Sequence, residues 1–206
     1  MDKYDWLRTL APTVVIDGGA NQGQWLGYAR QFWPDAKFVC FEPQGECASA
    51  IPSGDSVTVV TSALGDRVGT VKFNRSQFNQ SSSVLKMAQL HKDAFPFTAG
   101  ECVCEVPMTT LDDWCERNDT WGAVIKLDLQ GYELAALMHM PRSLMKAKAL
   151  CIETSFVELY EGQPLFGEIH DYLTQIGFRY AGCIESPLGS PFDGRPMEED
   201  SWFVKD

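Results

Sequence analysis

The stretch T-V-V-I-D-G-G-A-N-Q-G, Thr13 to Gly23, runs from β-branched apolar residues through one aspartate into glycines. An apolar run of this kind, ending in a charge, reads as a buried strand whose tip reaches a ligand surface. The glycines let the backbone turn sharply and approach a bulky ligand. Gln22–Trp33 follows as a helix, with Trp25, Tyr28, Ala29 and Phe32 at helical spacing and Pro34 as its stop. Strand, glycine turn and helix form the opening unit of an open α/β sheet, in which ligands sit at the carboxyl ends of the strands.

Outward from this unit the alternation continues. Lys37–Phe41 and Val57–Thr61 are predicted as the second and third strands, with Gly45–Ile51 as the short crossover between them. The rhythm then breaks over about 67–110, where alternating segments (Thr70–Asn74, Glu101–Val106) surround a polar loop, Gln77–Ser83, and a helical piece near Val84–Ala94. This is an insertion on the sheet. After a helix over Thr110–Arg117 with Thr110 as its N-cap, strand Ala123–Leu129, helix Tyr132–Met138, strand Ala149–Glu153 and helix Phe166–Ile176 resume the pattern. Phe178–Cys183 and Ser201–Lys205 are two strands with no helix between them, so the last strand is expected to run antiparallel beside its predecessor. One domain over residues 1–206 accounts for the whole pattern.

Composition narrows the function. A chain of 206 residues, 45% hydrophobic and 22% charged, can bury a sizeable core. A net charge of −11 without a local Lys/Arg cluster disfavours nucleic acid and anionic membrane surfaces as partners. The seven cysteines lack paired C-x-x-C spacing, and Cys40 and Cys151 lie in apolar runs suited to buried free thiols. No apolar stretch is long enough for a signal peptide or a membrane span, and a cytoplasmic setting is expected.

Glu42 ends the second strand, nineteen residues past Gly23, the distance at which an acid reaches a ribose diol. Two cofactors suit a glycine turn followed by such an acid: a nicotinamide dinucleotide and S-adenosylmethionine. Asp17 separates them, because a carboxylate just before the glycines repels a pyrophosphate but can hold the cationic end of S-adenosylmethionine. The spacing D-x-G-x-x-x-G fits Asp17, Gly19 and Gly23, whereas G-x-G-x-x-G fails at Ala20.

Further blocks extend this reading. V-V-I-D-G-G-A-N-Q-G at 14–23, F-E-P at 41–43, A-L-G-D at 63–66, V-I-K-L-D-L-Q-G-Y-E-L at 124–134, E-T-S-F at 153–156 and W-F-V-K at 202–205 occur in order, and together they resemble the FkbM family of S-adenosylmethionine-dependent methyltransferases. The resemblance implies a class I, Rossmann-like, seven-stranded sheet with helices on both faces and the hairpin strand last. It also implies that Asp17, Gly19, Asn21 and Gly23, with Gly18 and Ala20, form the cofactor floor. Glu42, beside Pro43, then takes the ribose hydroxyls, and Ala63, Leu64 and Asp66 border the adenine. Gln130 stands where the family often carries a glutamate.

An alcohol acceptor needs a base for its proton. Asp128, closing the fourth strand, is the candidate, with Glu133 one turn on and Glu153 at the fifth strand as support. Asn79, Ser81, Ser82 and His91 from the insertion, and Phe192 and Arg195 from the connection Glu185–Asp200, are the candidates for gripping a polyol acceptor. His139 and His170 are expected on the surface, and no ligand cluster specifies a metal. The expected activity is O-methylation of a sugar, glycan or hydroxylated natural product. The competing readings are a nicotinamide-dependent oxidoreductase on the same sheet and a catalytically idle relative that binds a protein partner.

Overall fold

The computed structural model describes residues 4–184 and 187–205; Glu185, the first residue of the final connection, lies outside them. After α1 (Asp5–Thr9) come β1 (Val14–Gly18), α2 (Gln24–Ala29), β2 (Lys37–Phe41), α3 (Gly45–Ala50) and β3 (Val57–Val60). The insertion holds β4 (Ala63–Leu64), β5 (Gly69–Ser76), α4 (Gln89–Ala94) and β6 (Glu101–Thr109). Then follow α5 (Leu111–Asn118), β7 (Val124–Leu127), α6 (Glu133–Met138), α7 (Pro141–Lys146) and β8 (Ala149–Ser155). The chain closes with α8 (Phe166–Gln175), β9 (Arg179–Cys183), β10 (Leu188–Gly189) and β11 (Pro196–Val204).

The main sheet runs β3-β2-β1-β7-β8-β11, with β9 and the two-residue β10 both pairing along the outer edge of β11. Strands β1, β2, β3, β7 and β8 are parallel, and β11 is antiparallel to β8 and β9. The expected seven strands are therefore present, with β10 as a small addition. Strand order reverses between β1 and β7, which places a ligand crevice over their carboxyl ends.

Period-two alternation assigns each strand residue to a face. Val15, Phe38, Cys40, Val124, Ala149, Cys151 and Trp202 pack with Leu7 of α1 and with Leu26 and Ala29 of α2. Ile16, Val39, Ile125, Leu127, Leu150, Ile152 and Phe203 pack with residues of α5 to α8. Helices on both faces follow from this division. The same parity puts Asp17 and Lys126 on the α2 side, directly paired across β1 and β7.

Several boundaries differ from expectation. α2 begins at Gln24 because Asn21 (φ 47°) and Gly23 (φ 84°) are left-handed, so the helix can start only beyond them. Helix Val84–Ala94 contracts to Gln89–Ala94, since Met87 bridges Tyr160 and the Ala88 N–H bonds the Leu159 carbonyl; tertiary pairing holds this stretch extended. Pro141 reads in sequence as a stop, but it sits in the first turn of α7, where its missing N–H costs nothing. Thr110 caps α5 as expected, its hydroxyl accepting from the Asp113 N–H.

Candidate active site

A cleft of about 540 Å³ opens over the reversal point, a size typical of small-molecule sites. The turn after β1 forms its floor. Gly19 and Ala20 both donate their N–H to the Phe41 carbonyl, so these donors are spent on the chain and not offered to a ligand. Gly19 is left-handed (φ 77°), and a Cβ there would lie 1.8 Å from the Asp128 carbonyl oxygen. This glycine is demanded by the backbone of β7's exit as well as by any ligand. Gly18 ends β1 against Leu127, and Gly23 caps α2 near Pro52; neither lines the cleft. Gly19→Ala is expected to destabilise the fold by about 2 kcal/mol or more, through both strain and displacement of the Asp128 carbonyl. Urea unfolding checks this, and an unchanged midpoint would show that the β7 exit yields freely.

Glu42 is buried, 3% exposed, and lines the cleft. Its two oxygens accept from the Asn21 and Gln44 N–H groups at 2.9 and 2.8 Å. Burial raises its pKa, and these hydrogen bonds offset part of the rise. Above it the insertion is stitched down. The Asn21 and Gln44 side chains donate to Asn79, Ser82 donates to Gln44, and Arg75 pairs with Glu46. Asn79, Ser81 and Ser82 line the cleft, but Asn79 and Ser82 hold its Glu42 end closed, two strands away from the acceptor end assigned to them in sequence. Pro43, Ala63 and Leu64 line the same end.

The other end carries a linked set of charges. Lys126 Nζ lies 2.9 Å from Asp128 Oδ2 and 4.0 Å from Asp17 Oδ1, with the Trp25 ring 6.0 Å away. Gln130, left-handed at φ 54°, donates through Nε2 to both Asp128 and Glu153 at 2.7 Å, while its Oε1 accepts from the Tyr160 hydroxyl. An amide can bridge two carboxylates in this way; a glutamate there would bring a third acid. Burial pushes Asp128 up, yet the Lys126 charge and the hydrogen bonds from Gln130 and Lys126 outweigh it and hold the carboxyl below its usual range. Burial drives Glu153 well above the usual carboxylate range, with Asp128 adding to the rise. The two acids are thus pushed in opposite directions, Asp128 towards the ionised form and Glu153 towards the protonated one.

Besides Gly18 and Gly23, five of the expected site residues lie outside the cleft lining. Asp17 is fully buried, does not line the cleft, and neither of its oxygens has a hydrogen-bond partner. Burial pushes its pKa up to about 6 against the pull of Lys126, the cation that faces it at 4.0 Å. Glu133 is buried and turned into the loop, its Oε1 accepting from the Leu129 and Gly131 N–H groups at 2.6 and 3.3 Å. It braces the β7–α6 turn rather than the cleft. Asp66 pairs with its neighbour Arg67, and exposed Phe192 and the Asp193-paired Arg195 sit at the tip between β10 and β11; none of the three lines the cleft.

His91 does line the cleft, 6% exposed, with Nδ1 lacking a hydrogen-bond partner and its pKa lowered by burial. Lys126 and Gln44 are lining residues that motif reading passed over, whereas Glu198 and Asp200, also lining, belong to the connection expected at the acceptor. Strand parity and register alone could have found Lys126, by pairing it with Asp17. His139 caps α6 through the Ala135 carbonyl and His170 stacks on Phe166, both as surface residues. Among the described residues, no group of three or more His, Cys, Asp or Glu side chains is arranged to hold a metal ion. No described helix is long and apolar enough to cross a membrane.

A parallel sheet reversed at β1/β7, finished by an antiparallel strand, with a glycine turn and a strand-end glutamate facing one cleft, defines a class I methyltransferase. The sequence profile described as the Methyltransferase FkbM domain matches residues 17–180, and the chain belongs to that family. It is 27% identical over 171 residues to the 2-O-methyltransferase NoeI of Sinorhizobium fredii (strain NBRC 101917 / NGR234), covering 78% of this chain and 70% of that protein. Its fold matches the methyltransferase FkbM of Methylobacillus flagellatus KT at a TM-score of 0.58 and 15% identity, over 93% of this chain and 43% of that one. It also matches the O-methyltransferase NcsB1 from neocarzinostatin biosynthesis, whose structure holds S-adenosylmethionine and 2-hydroxy-5-methyl naphthoic acid, at 0.51 and 12% identity, over all of this chain and 51% of that one. The chain thus spans about half of these solved chains or less. Family membership decides for methyl transfer over the nicotinamide reading.

Proposed function

We propose that the protein transfers the methyl group of S-adenosylmethionine to a hydroxyl of a sugar or hydroxylated natural product, in the cytoplasm. The observation that carries this is Glu42. A carboxylate offers about four acceptor sites, and two backbone N–H groups with the Gln44 amide leave acceptor capacity on Glu42 for a diol hydroxyl at the cleft wall. Gly19, Ala20 and Asn21 would form the floor under the cofactor, with Pro43, Ala63 and Leu64 flanking its base. The cofactor, when bound, supplies an electrophilic methyl group. The chain supplies the rest. Asp128 takes the proton of the attacking hydroxyl, Gln130 and Lys126 hold it in place, and Glu153, tied to Asp128 through Gln130, lines the cleft beside it. The insertion, tied down over Glu42, keeps water out. The names of NoeI and NcsB1 support a hydroxyl acceptor, and all seven cysteines being free thiols supports a reducing compartment.

Calorimetry tests the reading. The parent is expected to bind S-adenosylmethionine and not NADH, and Glu42→Ala to weaken that binding by roughly 2–4 kcal/mol. Equal affinity in mutant and parent would remove Glu42 from the site, and the diol assignment with it.

A further inference from the structure

The acceptor end of the cleft has two unlike walls. On the sheet side stand carboxyl groups at the strand ends. Asp200 is paired with Glu153 across β11 and β8, Glu198 lies two residues before it, and Asp128 sits one position beyond the last paired residue of β7. On the insertion side runs a ladder of rings. His91 contacts Tyr160 and Phe95 at 5.2 and 5.5 Å, Phe95 contacts Phe97 at 6.3 Å, and Phe97 contacts Phe78 at 5.3 Å. The outer two rings are open to solvent, Phe97 by 58% and Phe78 by 39%. His91, itself buried, also lines the cleft, and its Nδ1 has no hydrogen-bond partner.

A sugar ring has the chemistry that matches both walls. Its C–H face packs on aromatic rings, and its hydroxyls are donors for carboxylates and for a bare imidazole nitrogen. A phosphate does not match. Among the described residues the cleft is lined by one lysine and no arginine, and Lys126 is committed to Asp128 and Asp17. A diphosphate within about 8 Å of an ionised carboxylate loses roughly tenfold in affinity per charge pair, and the net charge of −11 adds to the repulsion.

We propose that the acceptor is a sugar presented as a glycoside and not as a nucleoside diphosphate sugar, so that glycosyl transfer, which removes the diphosphate, is the reaction class that supplies this enzyme's substrate. The proposal rests on the sugar O-methylation reading above. Methylation then acts on a sugar already attached to its aglycone, whose apolar parts can lie along Phe97 and Phe78 at the mouth.

The test is a matched panel. Methyl glycosides of hexoses, 6-deoxyhexoses and amino sugars are each compared with the corresponding nucleoside diphosphate sugar, using radiolabelled S-adenosylmethionine. At least one glycoside is expected to accept methyl, with its nucleotide-linked form at least 100-fold lower in kcat/KM. At pH 8, above the value of about 7 to which burial raises this carboxyl, Glu198→Gln is expected to narrow that ratio by up to about tenfold, because it removes one repelling carboxylate while keeping the shape of the wall. Equal or faster transfer to a nucleotide-linked sugar overturns the proposal, and so does a ratio that Glu198→Gln leaves unmoved. A different result marks failure of the underlying reading: calorimetry shows S-adenosylmethionine bound, yet no sugar in either form is methylated while a phenolic or polyketide alcohol is.

Discussion

Asp128→Asn is expected to slow methyl transfer by about two to four orders of magnitude at neutral pH, the range lost when a positioned base is removed. The amide is nearly isosteric, and its oxygen can still accept from Lys126 or Gln130. It cannot take a proton. Cofactor affinity should change little, because Glu42 and the β1 turn carry that end of the cleft. The pH dependence gives a second check. Asp128's pKa is depressed below the ordinary carboxylate range by Lys126 and Gln130, so the base stays ionised as pH falls, and the acid limb of the rate profile should lie below that range. A limb near neutrality would instead point to Glu153 or Glu198, whose carboxyls burial raises, that of Glu198 to about 7. Single-turnover rates settle the assignment. A parental rate in Asp128→Asn with a dead Glu153→Gln moves the base to Glu153. Glu133→Gln belongs in the same series with the opposite expectation, lower stability and an unchanged rate, since its carboxylate touches only the turn at 129–131.

The parts of this molecule legible in the sequence are those written in local order. The run Thr13 to Gly23 declares strand, turn and helix because each residue's role depends on its immediate neighbours. Glu42 was found by spacing from Gly23, since one crossover of fixed length separates them. Asp17 is legible as a strand tip, but its burial beneath the cleft floor beside Lys126 is not. Whether a tip residue points into the crevice or under it depends on which face of the sheet its parity selects, and on the strand that pairs beside it. That strand is β7, more than a hundred residues on, and its Lys126 interrupts the apolar run V-I-K-L with no local sign that a buried carboxylate awaits it. The insertion was legible as an interruption that brings Asn79, Ser81, Ser82 and His91 to the cleft, but its aromatic wall was not. Its rings Phe78, His91, Phe95 and Phe97 meet only after β5 and β6 pair and Met87 bridges Tyr160. Phe192 and Arg195 looked like acceptor contacts because their loop follows a strand end, yet the β10–β11 pairing carries that tip away from the cleft.

Lys126→Met is expected to destabilise the protein by about 3–5 kcal/mol at pH 8, the cost of leaving a buried charge without its partner. Methionine keeps most of the lysine's length and its contact with Trp25, so lost packing is a small part of the effect. The larger part is the two carboxyls that share the ammonium: Asp128 at 2.9 Å, and Asp17, fully buried with no hydrogen bond and Lys126 as the only cation within ion-pair distance among the described residues. The pH dependence separates the two. Asp17's pKa is already raised to about 6 in the parent, and without the lysine it rises further. A carboxyl whose folded pKa lies above its unfolded value binds its proton more tightly when folded, so its penalty is absent at low pH and grows as pH rises through the folded pKa. The difference in melting temperature between parent and Lys126→Met should therefore grow from pH 5 to pH 8, on top of a loss present at both values because Asp128 no longer has the lysine that keeps its carboxyl ionised. A difference that stays constant across this range would assign the loss to packing and Asp128 and remove charge from the role of the Asp17–Lys126 pair. The double variant Asp17→Asn, Lys126→Met sharpens the comparison. With the orphaned charge gone, it should recover much of the stability at pH 8. Recovery of stability without recovery of methyl transfer would show that Lys126 also serves Asp128, which stands 2.9 Å from the same ammonium.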